Sequence, residues 1–89
     1  MRGKRNKILF KSSVEKDLRK IDKKFREQIY KALEELEKGS EGKKLKGEFK
    51  GLYKYVVGNY RIIYAKIPDG ILVLRIGNRK DVYRHRIQR

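Results

Sequence analysis

The spacing of apolar residues changes once along this chain, and that change restricts its possible folds more than any other feature. Before Gly39 they recur every three or four positions, whereas after Gly51 they gather in short runs rich in β-branched and aromatic residues. The first pattern lays a stripe along one side of a helix, and the second builds strands. Val14, Leu18 and Ile21 form one stripe; Phe25, Ile29, Ala32, Leu33 and Leu36 form a longer one. Ser12 with Glu15 has capping-box spacing for a first helix, Asp22 caps a second after a tight break, and Gly39 supplies its stop. Glu27 with Lys31 and Glu34 with Lys38 add pairs of favourable orientation on the solvent side.

Strands are predicted at Lys7–Phe10, Leu52–Val57, Tyr60–Ile67 and 71–77, with a short last strand over 81–84. Gly58 and Asn59 make a hairpin turn, and Pro68, Asp69 and Gly70 mark the next reversal. Within 71–77, Leu72, Leu74 and Ile76 fall on one face and Ile71, Val73 and Arg75 on the other. Residues 39–51 form a basic, glycine-punctuated connector that Leu45 and Phe49 anchor to the body. The expected class is α+β, an N-terminal strand and helical hairpin packed on one face of a small, mostly antiparallel sheet, with the opposite face left available. A chain of 89 residues has room for one domain, 1–89, in which 1–6 and 85–89 are expected to be flexible basic ends.

Lysine and arginine total 26 against 11 acidic residues, a formal net charge of +15. So large a self-repulsion suits a polyanionic partner, and for a chain that also folds nucleic acid is the leading class. The absence of cysteine removes disulfides, thiolate catalysis and cysteine-based metal sites. His85 alone cannot build a metal cluster, so neither metal nor cofactor is expected. No long apolar run follows the charged amino terminus and no segment is long enough to span a bilayer, which predicts a cytoplasmic protein with no membrane partner.

The strand half interleaves Lys54, Arg61, Arg75, Arg79, Lys80 and Arg84 with Tyr53, Tyr55, Tyr60, Tyr64 and Tyr83. Cations meet phosphates, and tyrosine rings stack on unstacked bases. Tyr64, inside an apolar run, reads as core; Arg75 alternates with apolar neighbours as a solvated sheet residue does; His85 sits in a solvated arginine-rich tail. Arg61 lies in a strand that otherwise looks buried, where an unpaired charge is costly. Either a carboxylate such as Asp69, Asp81 or a helix glutamate pairs with it, or it waits for a phosphate. Gly-Asn-Arg at 77–79 presents Asn78 and Arg79 as a phosphate clasp, while Lys43, Lys44, Lys46 and Lys50 form a second, backbone-contacting patch. No paired carboxylates stand out in the sheet, and no serine or threonine is set near a histidine, which speaks against conventional hydrolase chemistry. RNA brings its own nucleophile, the ribose hydroxyl beside the scissile phosphate, so a protein need only orient it, neutralise the phosphate and move protons.

Lys-Leu-Lys-Gly at 44–47, Gly-Leu-Tyr-Lys-Tyr-Val-Val-Gly-Asn-Tyr-Arg-Ile-Ile-Tyr at 51–64 and Ile-Leu-Val-Leu-Arg-Ile-Gly-Asn-Arg-Lys-Asp-Val-Tyr at 71–83 carry a resemblance. Their order and spacing resemble the RelE/ParE superfamily of toxin-antitoxin systems, and the RelE-like branch most closely. That resemblance implies the toxin of a type II system: a ribosome-dependent endoribonuclease that cleaves messenger RNA in the ribosomal A site through 2′-hydroxyl attack, inhibits translation and is silenced by an acidic antitoxin. By motif position it implies that Lys54 binds phosphate, Arg61 is the central transition-state arginine, Arg79 is a further phosphate ligand or proton donor, and Tyr83 assists the leaving or attacking oxygen. Lys43, Lys44, Lys46, Lys50, Asn78, Lys80 and Arg84 would then line the RNA path. Two positions depart from the pattern: Val56 replaces a second basic residue, and Asn78 stands where many relatives have histidine. The superfamily also includes ParE-like gyrase poisons, and a non-catalytic ribosome- or RNA-binding protein is a third reading.

Overall fold

The computed structural model describes residues 6–84; the segments 1–5 and 85–89, with His85, lie outside the described residues. The elements are β1 (Lys7–Phe10), α1 (Val14–Arg19), α2 (Lys23–Glu37), β2 (Lys43–Lys44), one turn of 3-10 helix (Gly47–Phe49), β3 (Leu52–Val57), β4 (Tyr60–Ile67) and β5 (Gly70–Asn78). They form one five-stranded sheet in the order β1-β5-β4-β3-β2. β1 runs parallel to β5, and every other neighbouring pair is antiparallel. The α+β architecture is the expected one.

The two helical stripes bury against one sheet face, where Val14, Ile21, Ile29, Ala32, Leu33 and Leu36 meet Ile62, Tyr64, Ile71, Val73 and Ile76. Removing this apolar surface from water is the main term holding helices to sheet. No side-chain hydrogen bond caps either helix; α1 starts from Ser13 instead of Ser12, and α2 from Asp22. Packing, not capping, therefore fixes the helix starts. No ion pair joins Glu27 to Lys31 or Glu34 to Lys38 among the described residues; Arg19 and Glu15 make the helical pair, at 3.3 Å. Asn6 ties the chain entry to the end of α2, its backbone amide donating to the Glu37 carbonyl and its side chain to that of Leu36, each at 2.9 Å. The Leu36 carbonyl also accepts the Gly39 amide, at 3.1 Å, where the helix ends.

Three expectations are corrected. The opposite sheet face is partly covered, because Leu45, Phe49, Leu72 and Tyr83 close over Leu52, Ile63, Ala65, Leu74 and Val82. The Phe49 and Tyr83 rings lie 5.4 Å apart, so the connector and the carboxy-terminal turn meet above the sheet. Residues 81–84 form no strand. The Asp81 and Val82 amides both turn back to the Asn78 carbonyl, at 2.9 and 2.8 Å, and Val82 is buried. Finally, a bulge interrupts β5: Ile63 stands opposite Arg75 but Tyr64 opposite Val73, leaving Leu74 as an extra residue. Ile76 thereby joins Ile71 and Val73 on the helix side, and Leu72 and Leu74 remain on the other.

Candidate phosphate site on the sheet

Lys54 pairs across the sheet with Ile63, and Val56 with Arg61, so all four share the face turned away from the helices. Lys54 and Arg61 are diagonal neighbours, a relation that spans about 7–8 Å. Lys43 stands opposite Lys54 on β2. Like charges directly opposed are unfavourable unless an anion joins them, so this pair makes the connector patch continuous with the central one. Lys44, Lys46 and Lys50 are exposed along the same connector.

The anticipated carboxylate does not hold Arg61. Among the described residues no carboxylate lies within ion-pair distance of it. Its Nη1 instead donates to the carbonyls of Gly58 and Tyr60, at 3.0 and 2.9 Å. The hairpin turn orients the guanidinium, while Nε and Nη2 have no hydrogen-bond partner among the described residues. Opposite Arg61 on β5 is Gly77, against which Val82 packs. The following turn brings Tyr83 back towards Arg61. Burial pushes the Tyr83 phenol above its usual pKa, and the Arg61 charge opposes part of that rise. Tyr83 thus holds its proton at neutral pH and is a donor there.

Arg79 is fixed by its backbone, whose amide donates to the Asn59 carbonyl at 2.8 Å beside the same hairpin turn, and its side chain is exposed. The Asn78 side-chain oxygen accepts the Lys80 amide at 2.8 Å and closes the turn between them. Arg84 pairs with Asp81 at 3.4 Å on the surface. Lys54, Arg61 and Tyr83 are therefore gathered on one face, Arg79 sits at its β5 end, and the connector lysines continue it beyond Lys54.

Arg75 is not the solvated residue the alternation suggested. Its Nε donates to the Asp17 carboxylate at 3.3 Å, and the two side chains are 19% and 9% exposed. Sequence reasoning missed this pair, although Asp17 stands on the α1 stripe beside Val14, Leu18 and Ile21, where an acid needs a partner. Tyr64 is core, as its setting suggested. Its hydroxyl oxygen accepts the Gly42 amide at 2.7 Å, and burial raises its pKa. Among the described residues no cluster of three or more His, Cys, Asp or Glu residues could hold a metal, and no helix is long and apolar enough to cross a membrane.

A family model described as the ParE toxin of type II toxin-antitoxin system, parDE, matches residues 8–83. The chain belongs to this toxin family. It is also similar to RelE-containing structures, which carry the other branch of the superfamily. A double arginine-to-alanine variant of Escherichia coli RelE in the free state is 28% identical with a TM-score of 0.71, over 89% of this chain and 90% of that one. The RelB-RelE complex from Methanococcus jannaschii is 28% identical with a TM-score of 0.67, over 84% and 94%. The RelBE2 complex from Mycobacterium tuberculosis is 26% identical with a TM-score of 0.63, over 88% and 95%. A comparison with curated proteins yields no match. Membership in the RelE/ParE superfamily and a toxin's role in a type II system follow, and the expected RelE-like assignment widens to the superfamily as a whole.

Proposed function

We propose that this toxin is a ribosome-dependent endoribonuclease that cleaves messenger RNA in the A site and is silenced by an acidic antitoxin. The observation that carries this reading is Arg61: a half-buried guanidinium, oriented by two carbonyls, without a carboxylate, on one face with Lys54 and Tyr83. A phosphate is the partner this arrangement lacks. The ribose 2′-oxygen attacks phosphorus and loses its proton to water, the bond from phosphorus to the 5′-oxygen breaks, and Tyr83 supplies the proton that the leaving oxygen needs. A 2′,3′-cyclic phosphate and a 5′-hydroxyl result. Arg61 and Arg79 stabilise the charge that grows on the phosphorane oxygens, and Lys54 with Lys43 holds an adjacent phosphate. The ribosome supplies the alignment of the message, so free RNA is a poor substrate. Solved RelB-RelE complexes among similar proteins support an antitoxin partner, and the net charge of +15 favours an acidic one. Primer extension on translated messages tests the reading: wild type gives codon-positioned breaks that Arg61→Ala abolishes, and growth arrest with intact messages refutes it.

A gyrase-poisoning reading is favoured by the ParE family match and by Val56, which is 51% exposed beside Arg61 and contributes no charge. It predicts trapped DNA breaks and uncut messages after induction.

A further inference from the structure

Lys43 and Lys54 stand opposite each other at the β2 edge of the sheet, and no carboxylate among the described residues lies within ion-pair distance of either. Their charges therefore push β2 away from β3 unless an anion joins them. β2 has only two residues with which to resist. After it, the Leu45 amide donates to the Leu52 carbonyl at 2.9 Å. Before it, the attachments come from the other face of the sheet.

Gly42, the residue before β2, is pressed against the strand that carries Lys54, where a Cβ would overlap the Lys54 carbonyl. Its amide donates to the Tyr64 hydroxyl at 2.7 Å, and the Lys66 ammonium donates to the Glu41 carboxylate at 3.1 Å. Tyr64 and Lys66 stand opposite Val73 and Ile71, on the face that the helices cover. The Tyr53 ring braces both: it stacks on Tyr64 with centroids 5.3 Å apart, and the Lys66 ammonium is 4.9 Å from its centre. An exposed ion pair contributes little to the stability of a whole domain, but here it has only a two-residue strand to hold. The choice of face matters chemically. An acid beside Lys43 would consume the charge that a phosphate needs, whereas an acid that reaches Lys66 fastens the backbone and leaves Lys43 and Lys54 to a ligand.

We propose that Glu41, Lys66 and Tyr64 are positioning residues that clamp β2 onto β3 from the helix side, so that Lys43 and Lys54 together grip one RNA phosphate; the inference rests on the reading of the chain as an RNA-cleaving toxin. The test is the salt dependence of binding between the purified full chain and a short single-stranded RNA carrying 2′-O-methyl groups, which has no free 2′-hydroxyl to attack phosphorus. Glu41→Gln raises the net charge by one from +15, so charge alone would tighten binding. Loss of the clamp acts in the opposite sense. With Lys43 released, one phosphate contact is lost, the slope of log affinity against log salt falls by about 0.7, and affinity at 0.1 M salt drops about fivefold. Tyr64→Phe changes no charge and keeps the ring, and should weaken binding in the same direction. In both variants the Leu45 amide should lose hydrogen-exchange protection while the Lys11 amide, which donates to the Val73 carbonyl at the far edge, keeps it, a pattern that separates release of β2 from general unfolding. Binding by Glu41→Gln as tight as wild type or tighter, or a Leu45 amide still protected in that variant, overturns the proposal; Glu41 is exposed, so this holds even if Tyr64→Phe fails to fold. Cleavage mapping stands apart. Weakened binding in both variants of a chain that cuts no messages keeps the clamp and removes the nuclease, whereas cut messages with affinity unchanged by either variant do the reverse.

Discussion

Arg61 owes its position to two backbone carbonyls, and this decides what its replacement does. An ammonium at this place cannot satisfy the hairpin turn and still present a planar fork to phosphate, because Lys offers a point charge on a flexible stem. Both Arg61→Ala and Arg61→Lys are therefore expected to abolish growth arrest on induction, while the unfolding free energy from urea titration changes by less than about 1 kcal/mol, as befits a half-exposed side chain. A lysine variant as toxic as wild type would show that charge alone suffices there. Tyr64 permits a second test at this scale. Its folded pKa is raised above the unfolded value of about 10, chiefly by burial. The fold favours the neutral phenol, so its contribution is complete below pH ~10 and lost as pH rises through the higher folded value. Tyr64→Phe should flatten part of the alkaline fall in stability above pH ~10, leaving the parts due to Tyr83 and Lys66, and should cost about 1 kcal/mol at neutral pH by depriving the Gly42 amide of its acceptor. That Arg61 stands on the sheet with a charge in need of a partner was legible in the sequence; the carbonyls that hold it were not, since carbonyl direction follows from the turn and no side-chain pattern records it.

Among the elements, β1 is joined to the sheet at its closest approach by Gly70. A Cβ there would overlap the Lys7 backbone, to which Gly70 is registered. Gly70→Ala should push β1 off β5, lowering stability by about 2–4 kcal/mol, as a backbone-level clash does, and removing hydrogen-exchange protection from the Lys11 amide that donates to the Val73 carbonyl. Unchanged protection would mean that β1 shifts as a unit without losing its pairing. The parts of the fold that local pattern dictates were readable: both helical stripes, the hairpin turned at Gly58, and the anchoring of the connector by Leu45 and Phe49. The parts set by distant contacts were not. The bulge at Leu74, the two-residue β2 and the turn at 81–84 depend on which edges are free and which side chains cover them, and neighbouring residues do not encode that. Asp17 is intermediate, because its place on an apolar stripe signals a buried partner without revealing Arg75.

At the scale of the whole molecule, fold and charge answer different questions. The sheet and helical hairpin are shared by RelE-like and ParE-like proteins, so the target must be decided by local chemistry on that frame. The charge, in contrast, is arranged as a path: connector lysines, the opposed Lys43 and Lys54, then Arg61 and Arg79 at the β5 end. If single-stranded RNA follows that path, each lysine neutralising a phosphate steepens the fall of log affinity with log salt by about 0.7. Replacing Lys46 and Lys50 together by alanine should then reduce the slope by about 1.4 and weaken binding evenly across sequences, without moving the positions at which a translated message is cut. An unchanged slope would separate the connector from the RNA path. The same lysines would then be left facing a different polyanion, and the covering of the sheet by Leu45 and Phe49 would place that partner at the edge of the site instead of across it.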